Sequence, residues 1–441
     1  MIIRSKALIS FLAICTGLVA SFFVQSPLFA LIVCGFGLLS ISANSITRGL
    51  ANLRNTALLL GAVIYLILFF YAIMFELIDV SPFVDTTQPS ERQILILNAS
   101  LLILSLIAGT HLALIFSRSL KTTSSIREYQ ERPDFYLALA WLPILLALIS
   151  YFLYFKNQPY VSLHTGDAGI FAIPLKLIYV TFGALVCISV STSTNTLKAK
   201  INILLILFGL LIVYGFLIKL RTPLLFAILL SAYLFLPNLG TLKLFAGASL
   251  LIFILAITSL IRDPALTENG FLSGIAAMIL GLGEQAHSLT FADSFVDENG
   301  PLYGFGLLGS LTGAREAIAN EYTRSISVDY FLSGGGFGFY LLSDFVVNFG
   351  WTGGALALFL LGATLTRLSL MPSSFHSTTL NAAIFANAFA LSRNDVGSQV
   401  RATLYTIAAT YLIRYSLIFI RGLTTPPKLN KNLDLRITGA R

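Results

Sequence analysis

Long apolar runs recur along the whole chain, separated by short polar segments. Each run holds roughly 20 residues, the length that an α-helix needs to cross the hydrocarbon core of a membrane. Helices satisfy their own backbone hydrogen bonds in lipid, so they are the expected form of every run. The pattern predicts about twelve spans, at residues 7–25, 28–43, 57–79, 94–117, 135–155, 172–190, 201–218, 222–237, 244–261, 337–366, 378–391 and 402–420.

The composition agrees with an all-α polytopic membrane protein. Hydrophobic residues make up 56% of the chain and charged residues 11%, whereas roughly a quarter of the residues in a soluble domain are charged. The first apolar run has no small-residue cleavage site before the next run, so we interpret it as a retained helix rather than a signal peptide. Cys15, Cys34 and Cys187 lie in apolar runs, where packing is their expected role.

The polar segments divide the chain into four predicted parts. Residues 1–261 hold about nine spans, residues 262–336 form one long connection, residues 337–420 hold about three spans, and residues 421–441 form a basic tail. The net charge of +8 is concentrated in alternate short loops and the tail, which the positive-inside rule places in the cytoplasm with both termini. Nucleic acid is therefore not a predicted partner, and the long connection is predicted on the outer side, where loops of such length are usually functional.

A set of cations falls on the predicted outer side, against the general bias of the chain. Two of them stand in the tight link IKLRTP, which has almost no loop to keep the charges in water. These side chains would either reach lipid headgroups or converge with the other cations on one ligand. Guanidinium groups match phosphate oxygens, so several arginines favour a diphosphate ligand without a metal ion. The set consists of Lys219, Arg221, Arg262, Arg315, Arg324, Arg393 and Arg401.

Two further polar pairs lie on the outer side of the predicted topology. Glu284 and His287 are three residues apart and would share a helix face, as a general acid–base pair does, although a solvated loop helix explains the same spacing. Arg393 and Asp395 lie in the turn between the last two predicted spans, either as a local ion pair or as part of the outer site. The remaining histidines lack metal-site spacing, so we predict no metal ion and no other cofactor.

The segment GGGFGFYLLSDFVVNFGWTGG, at residues 334–354, is apolar enough for a membrane but carries two polar side chains one helical turn apart. Asp344 and Asn348 would lie on one helix face near the outer boundary, and the glycines after them would allow close helix approach. One alternative is that Asn348 bonds a neighbouring helix while Asp344 lies at the water interface. The other is that both line a cleft for a hydroxyl-rich sugar.

The acidic residue, the NFG triplet and the glycine that follows resemble the pattern at the end of the long outer loop in Wzy-type O-antigen polymerases, the oligosaccharide repeat-unit polymerases. The family pattern has a tyrosine where this chain has Val346. The number of predicted spans, the single long loop, the KLRTPL link and the Arg/Asp turn are similar to that family as well.

The resemblance implies a glycosyltransferase of a bacterial inner membrane whose active face is periplasmic. A growing glycan would leave undecaprenyl diphosphate and join a lipid-linked repeat unit, with membrane lipids and a chain-length regulator protein as further partners. Asp344, Glu284 and Arg324 are the catalytic candidates, and the other cations of the set would bind the diphosphate. The candidate glycan contacts are Asn348, Asp395, His287, Tyr322 and Tyr330.

Three other functions remain open at this stage. An O-antigen ligase would use the same donor but transfer the glycan to lipid A-core, and an essential outer-loop histidine such as His287 would favour it. A transporter of the lipid-linked glycan would need charges along a central path open to both faces. A non-catalytic membrane partner in envelope assembly would tolerate the loss of the candidate residues.

Overall fold

The computed structural model describes a helical protein, with no strand in the described parts of the chain. Those parts cover most of the predicted spans and about three fifths of the long connection. They are residues 2–47, 54–73, 89–116, 133–157, 169–191, 197–218, 221–236, 257, 283–314, 316–328, 338–372, 374–392 and 394–424.

The apolar runs of the sequence form most of the helices, and the shorter helices α10 to α12 belong to the long connection. A π-helical stretch, Leu211–Leu217, continues α8. The helices are α1 (Ile2–Val24), α2 (Pro27–Thr47), α3 (Thr56–Ala72), α4 (Pro89–Phe116), α5 (Pro133–Leu153), α6 (Ile173–Lys176), α7 (Ile178–Ser191), α8 (Leu197–Leu210), α9 (Arg221–Phe235), α10 (Ser288–Asn299), α11 (Phe305–Thr312), α12 (Ile318–Ile326), α13 (Leu341–Ser369), α14 (Phe375–Leu391) and α15 (Val396–Thr424).

Seven of the described helices are long and apolar enough to cross a membrane, and three shorter ones are similarly apolar. This confirms the class of polytopic α-helical membrane protein. Helices coincide with all of the predicted spans except the one at residues 244–261, of which only residue 257 is described. The number of twelve spans therefore stays a prediction. The seven candidate spans are Pro27–Ile46, Ser90–Phe116, Phe135–Leu153, Ile173–Val190, Lys200–Leu217, Leu341–Ser369 and Val396–Phe419.

The buried apolar side chains form two clusters. The first is built mainly from α1 to α4, α10, α12 and α13, and the second mainly from α5, α7, α8, α9 and α14. Helix α14 takes part in both, because Ala388 belongs to the first cluster while Phe385 belongs to the second. Helix α14 therefore lies where the two packed groups meet.

Helices α4 and α13 approach each other closely at two glycines. A side chain on Gly109 would collide with the carbonyl of Phe359, and one on Gly362 would collide with the carbonyl of Leu106. Such contacts let two backbones pack without intervening side chains, which is how helices associate in a membrane. The sequence predicts the close approach at Gly350, Gly353 and Gly354, where a Cβ atom would meet either no atom within 4 Å or only residues of the same helix.

Helix α13 is interrupted at Gly350, within the NFG triplet. The predicted span was continuous over residues 337–366, whereas this helix begins at Leu341, ends at Ser369 and has φ 67° and ψ 176° at Gly350. That conformation is open almost only to glycine. It leaves helix carbonyls without their usual partners, and segment 302–304 of the long connection donates to two of them.

Those two hydrogen bonds attach the long connection to the broken helix. The backbone N–H of Leu302 donates to the carbonyl of Val347 at 2.9 Å, and that of Gly304 donates to the carbonyl of Asn348 at 3.1 Å. The helix that the sequence predicts to be continuous is therefore broken at Gly350, and the long connection attaches at this break.

The described part of the long connection packs on the helix ends. The hydroxyl oxygens of Ser288 and Ser343 lie 2.7 Å apart, and the Ser288 oxygen accepts a hydrogen bond from the backbone N–H of Tyr340 at 3.0 Å. The indole Nε1 of Trp351 donates to Asp293 at 2.7 Å. Helix α10 is therefore fixed to α13 on both sides of the break at Gly350.

Candidate functional site

Asp344 lies in the first turn of α13 and is only 1% exposed. Its Oδ1 accepts a hydrogen bond from Nδ2 of Asn348 at 2.9 Å, and its Oδ2 accepts one from the backbone N–H of Val396 at 2.8 Å. A buried carboxylate is tolerated only where donors replace water. Here one donor is the first N–H of α15, so Asp344 joins two helices.

Asp395 acts as the N-cap of α15. Its Oδ1 accepts from the backbone N–H of Gly397 at 3.2 Å and from the Ser310 hydroxyl at 2.6 Å, and its Oδ2 accepts from the N–H of Ser398 at 2.9 Å. Together with Asp344, it satisfies the first three N–H groups of this helix, which have no partner inside it. Both carboxylates also lie at the positive end of the helix dipole.

Asn348 caps a different helix, α11, from outside it. The N-cap residue of α11 is Gly304, which has no side chain to accept a hydrogen bond, and the Oδ1 of Asn348 accepts from the N–H of Leu307 at 3.1 Å instead. The amide nitrogen of Asn348 donates to both Oδ1 and the carbonyl of Asp344 at 2.9 Å. All polar atoms of this side chain are therefore engaged.

We call Asp344, Asn348, Asp395 and Ser310 the polar clasp. It links the break in α13, the first turn of α15 and the loop helix α11. The exposed fractions of the first three residues are 1%, 0% and 3%, so they do not line an open cleft. The structure thus favours the first alternative from the sequence for Asn348, a hydrogen bond to a neighbouring helix.

Arg401 is a described cation beside the clasp. It was expected in a turn before a span at 402–420, but α15 begins at Val396, so Arg401 lies inside the helix. Its guanidinium contacts Gly313, the residue that ends α11, with Nη1 3.2 Å from the position of a Cβ atom there. The carbonyl end of a helix is the negative end of its dipole, which suits this half-buried cation.

Arg324 lies in the last turn of α12 and forms an ion pair on the surface. Its Nη1 is 2.8 Å from Oε2 of Glu316, its Nη2 donates to Oε1 at 2.9 Å, and the two side chains are 46% and 37% exposed. A diphosphate would have to compete with this carboxylate for the guanidinium. Exposed pairs of this kind contribute about 0 to 1 kcal/mol to stability, so the competition is feasible.

Tyr322 was a candidate for stacking on a sugar, but its side chain is only 2% exposed. Its ring lies 5.4 Å from that of Phe291 and 5.6 Å from that of Phe339, measured between centroids. The ring is enclosed by the first core cluster. The structure therefore favours packing over glycan contact for this residue.

Few side-chain contacts are described for the other candidate residues. Glu284 and His287 share the 3-10 turn Gly283–His287, where His287 is half-buried and the side chain of Glu284 is outside the described set. Arg221 opens α9, and its side chain is likewise not described. The predictions for Lys219, Arg262, Arg315, Tyr330 and Arg393 lie outside the described residues.

Ser310 and the backbone of α11 were absent from the predicted site. Ser310 looks like an ordinary loop serine, and only its 2.6 Å bond to Asp395 reveals its role. A signal was available for α11 but not for Ser310. A helix that starts after Gly304 has no capping side chain of its own and requires an acceptor from elsewhere, which Asn348 supplies.

Comparison of the chain with protein-family models, with curated proteins and with solved structures finds no match. The likeness to the polymerase family thus rests on the motif at residues 344–350 and on the features around it.

Proposed function

We propose that the protein is a glycosyltransferase that polymerises a surface polysaccharide from lipid-linked repeat units. The observation that carries the proposal is the polar clasp at the family-like motif. It holds α11, which is followed in the sequence by Arg315 and Arg324, against the first turns of α15, which contains Arg401. Among the described residues, Arg401 lies beside Gly313, at the end of α11.

Each transfer would break the bond between the anomeric carbon of the growing glycan and an oxygen of undecaprenyl diphosphate. A hydroxyl oxygen of the incoming repeat unit would form the new bond and lose its proton. The diphosphate leaves with increased negative charge, which positioned cations stabilise. We assign this role to Arg401 and Arg324 among the described residues, and to Lys219, Arg221, Arg262, Arg315 and Arg393 among the others.

Asp344 receives a different role from the one expected of a catalytic base. Each of its carboxylate oxygens already accepts a hydrogen bond in the clasp, and the side chain is buried. We therefore propose that Asp344, Asn348 and Asp395 position the loop. Glu284 remains the candidate to accept the proton of the acceptor hydroxyl, and the diphosphate site needs no cofactor. The cytoplasmic termini, the periplasmic active face and the chain-length regulator remain parts of this proposal.

The proposal is tested by deleting the gene and restoring it with variants, followed by gel analysis of the surface glycan. We expect the deletion, Arg221→Ala and Arg401→Ala to leave lipopolysaccharide with at most one repeat unit. The matched control is Arg367→Ala, which removes an exposed arginine from the last turn of α13, at the other end of the helix from the clasp. This control should keep the full ladder of chain lengths.

The same gel separates the polymerase from both alternatives. Loss of a ligase would remove even the first repeat unit, and so would loss of a transporter, because the lipid-linked units would stay on the cytoplasmic side. Membrane fractions would confirm by immunoblot that each variant is inserted. An undiminished ladder in both Arg221→Ala and Arg401→Ala would overturn the proposal.

A further inference from the structure

A second group of polar and aromatic side chains meets where the first turn of α14 packs on the second half of α15, away from the clasp. Phe375 and His376 open α14, while Tyr411, Arg414 and Tyr415 lie between one half and two thirds of the way along α15. We call these five residues the aromatic–arginine stack. None of them belongs to the clasp or to the cations of the proposed transferase site.

The stack is held together by direct contacts between the two helices. The guanidinium carbon of Arg414 lies 3.7 Å above the ring centroid of Phe375. The Nδ1 of His376 lies 2.6 Å from the hydroxyl oxygen of Tyr411, and the two rings stack with centroids 5.5 Å apart. Tyr411 and Tyr415 stack in turn at 5.9 Å.

Two polar side chains of the stack lie at the surface. His376 is exposed and Tyr415 is 53% exposed. When the Tyr411 hydroxyl donates to Nδ1, the outer Nε2 of His376 carries the proton and faces away from that bond. A guanidinium that stacks by its face on a ring keeps its N–H groups in the plane, where they can bind phosphate oxygens.

The depth of the stack corresponds to a membrane surface. At a rise of about 1.5 Å per residue, Tyr411 lies about 22 Å and Tyr415 about 28 Å along α15 from Val396. The hydrocarbon core of a bilayer is about 30 Å thick. If the clasp lies at one boundary, the stack lies at the other, where tyrosines and snorkelling arginines concentrate.

We propose that the aromatic–arginine stack binds the phosphate of an anionic glycerophospholipid. Arg414 supplies positive charge, and His376 and Tyr415 supply donors for the headgroup. The apolar side chain of Leu412, 68% exposed, lies on the same helix one turn before Tyr415, toward the hydrocarbon core, and suits an acyl chain. This combination favours a lipid over a free phosphate ion, and the proposal stands independently of the proposed transferase activity.

The test is native mass spectrometry of the full-length protein in mild detergent, titrated with phosphatidylglycerol. We expect Arg414→Gln to weaken binding of the first lipid about fivefold, because a charge-assisted bond is lost. Tyr415→Leu alters only an exposed residue, so the variant should keep its fold. We expect it to weaken binding of the first lipid about 2.5-fold, because one donor is lost. The matched control Arg367→Gln removes one positive charge from the last turn of α13. This variant should bind the lipid as the wild type does.

Two further titrations define the ligand. Phosphatidylcholine, which has no net charge, should bind more weakly to the wild type and equally to all variants. Millimolar inorganic phosphate should not displace phosphatidylglycerol. The proposal is overturned if phosphatidylglycerol binds Arg414→Gln and Tyr415→Leu as it binds Arg367→Gln, or if inorganic phosphate displaces the lipid.

Discussion

The two ends of α14 use polar side chains in opposite ways. At one end, the polar clasp buries Asp344, Asn348 and Asp395 and engages their polar atoms in hydrogen bonds. At the other end, the aromatic–arginine stack leaves His376 and Tyr415 exposed. The difference indicates that the clasp organises the protein, whereas the stack is open to a ligand.

A polar residue near a membrane can stabilise the fold or bind a ligand. Such residues are costly in lipid and are functional candidates by default. A residue such as Asp344, whose two oxygens already accept backbone and side-chain donors, has met that cost within the protein. A substitution at the clasp should therefore affect stability first, while one at the stack should affect binding.

The largest effect is expected from Asp344→Ala, which leaves the N–H of Val396 without its acceptor and removes one of the two acceptors of the Asn348 amide. Two such losses at a buried site should lower the free energy of unfolding by about 3 kcal/mol. Unfolding in mixed detergent micelles would measure the change. The control Asp297→Ala removes an exposed carboxylate on α10 and should change stability by less than about 0.5 kcal/mol. Equal stability of Asp344→Ala and Asp297→Ala would show that the clasp does not stabilise the fold.

A smaller effect is expected from Gly350→Ala, which tests the helix break. A methyl group there would meet no described atom within 4 Å, so the change acts only through the backbone at φ 67°. The strain should cost about 1 to 3 kcal/mol. Gly354→Ala, in the ordinary helix that follows, should cost clearly less in the same measurement. If Gly354→Ala were the more harmful of the two, the break would not be a required feature.

The smallest effect on stability is expected from Arg324→Ala. Its pair with Glu316 is exposed on both sides, so the free energy of unfolding should fall by less than about 1 kcal/mol. A double-mutant cycle with Glu316→Ala would isolate the pair. Chain extension measured on the same variants should be lost with Arg324→Ala and kept with Glu316→Ala. The reverse pattern would exclude Arg324 from the diphosphate site.

The sequence was sufficient for the helical membrane class, because apolar runs of spanning length report directly on burial in lipid. It also located Asp344 and Asn348 on one side of a helix. The break at Gly350 was not predicted, since the carbonyls it frees are satisfied by residues 302 and 304, more than 40 positions away. Sequence periodicity contains no information on such distant backbone partners.

The start of α15 shows a different kind of miss. The order Asp395, Val396, Gly397, Ser398 is a local N-cap pattern, because Asp is a preferred capping residue. Hydropathy alone nevertheless predicts a span that begins at residue 402, because the residues before it are polar. The second carboxylate at this helix start belongs to Asp344, which is 52 residues from Val396. Neighbouring residues in the sequence cannot predict such a distant capping partner.

The central claim is that Asn348 and its clasp partners hold α11 against the helix ends. Amide hydrogen exchange of the full-length protein, wild type against Asn348→Leu, tests it most directly. We expect residues 302–312 to be protected in the wild type and to exchange about tenfold faster in the variant, because the cap of Leu307 is lost. Residues 375–380, at the opposite end, should not change. Exchange of residues 302–312 that is equally fast in both proteins would contradict the claim.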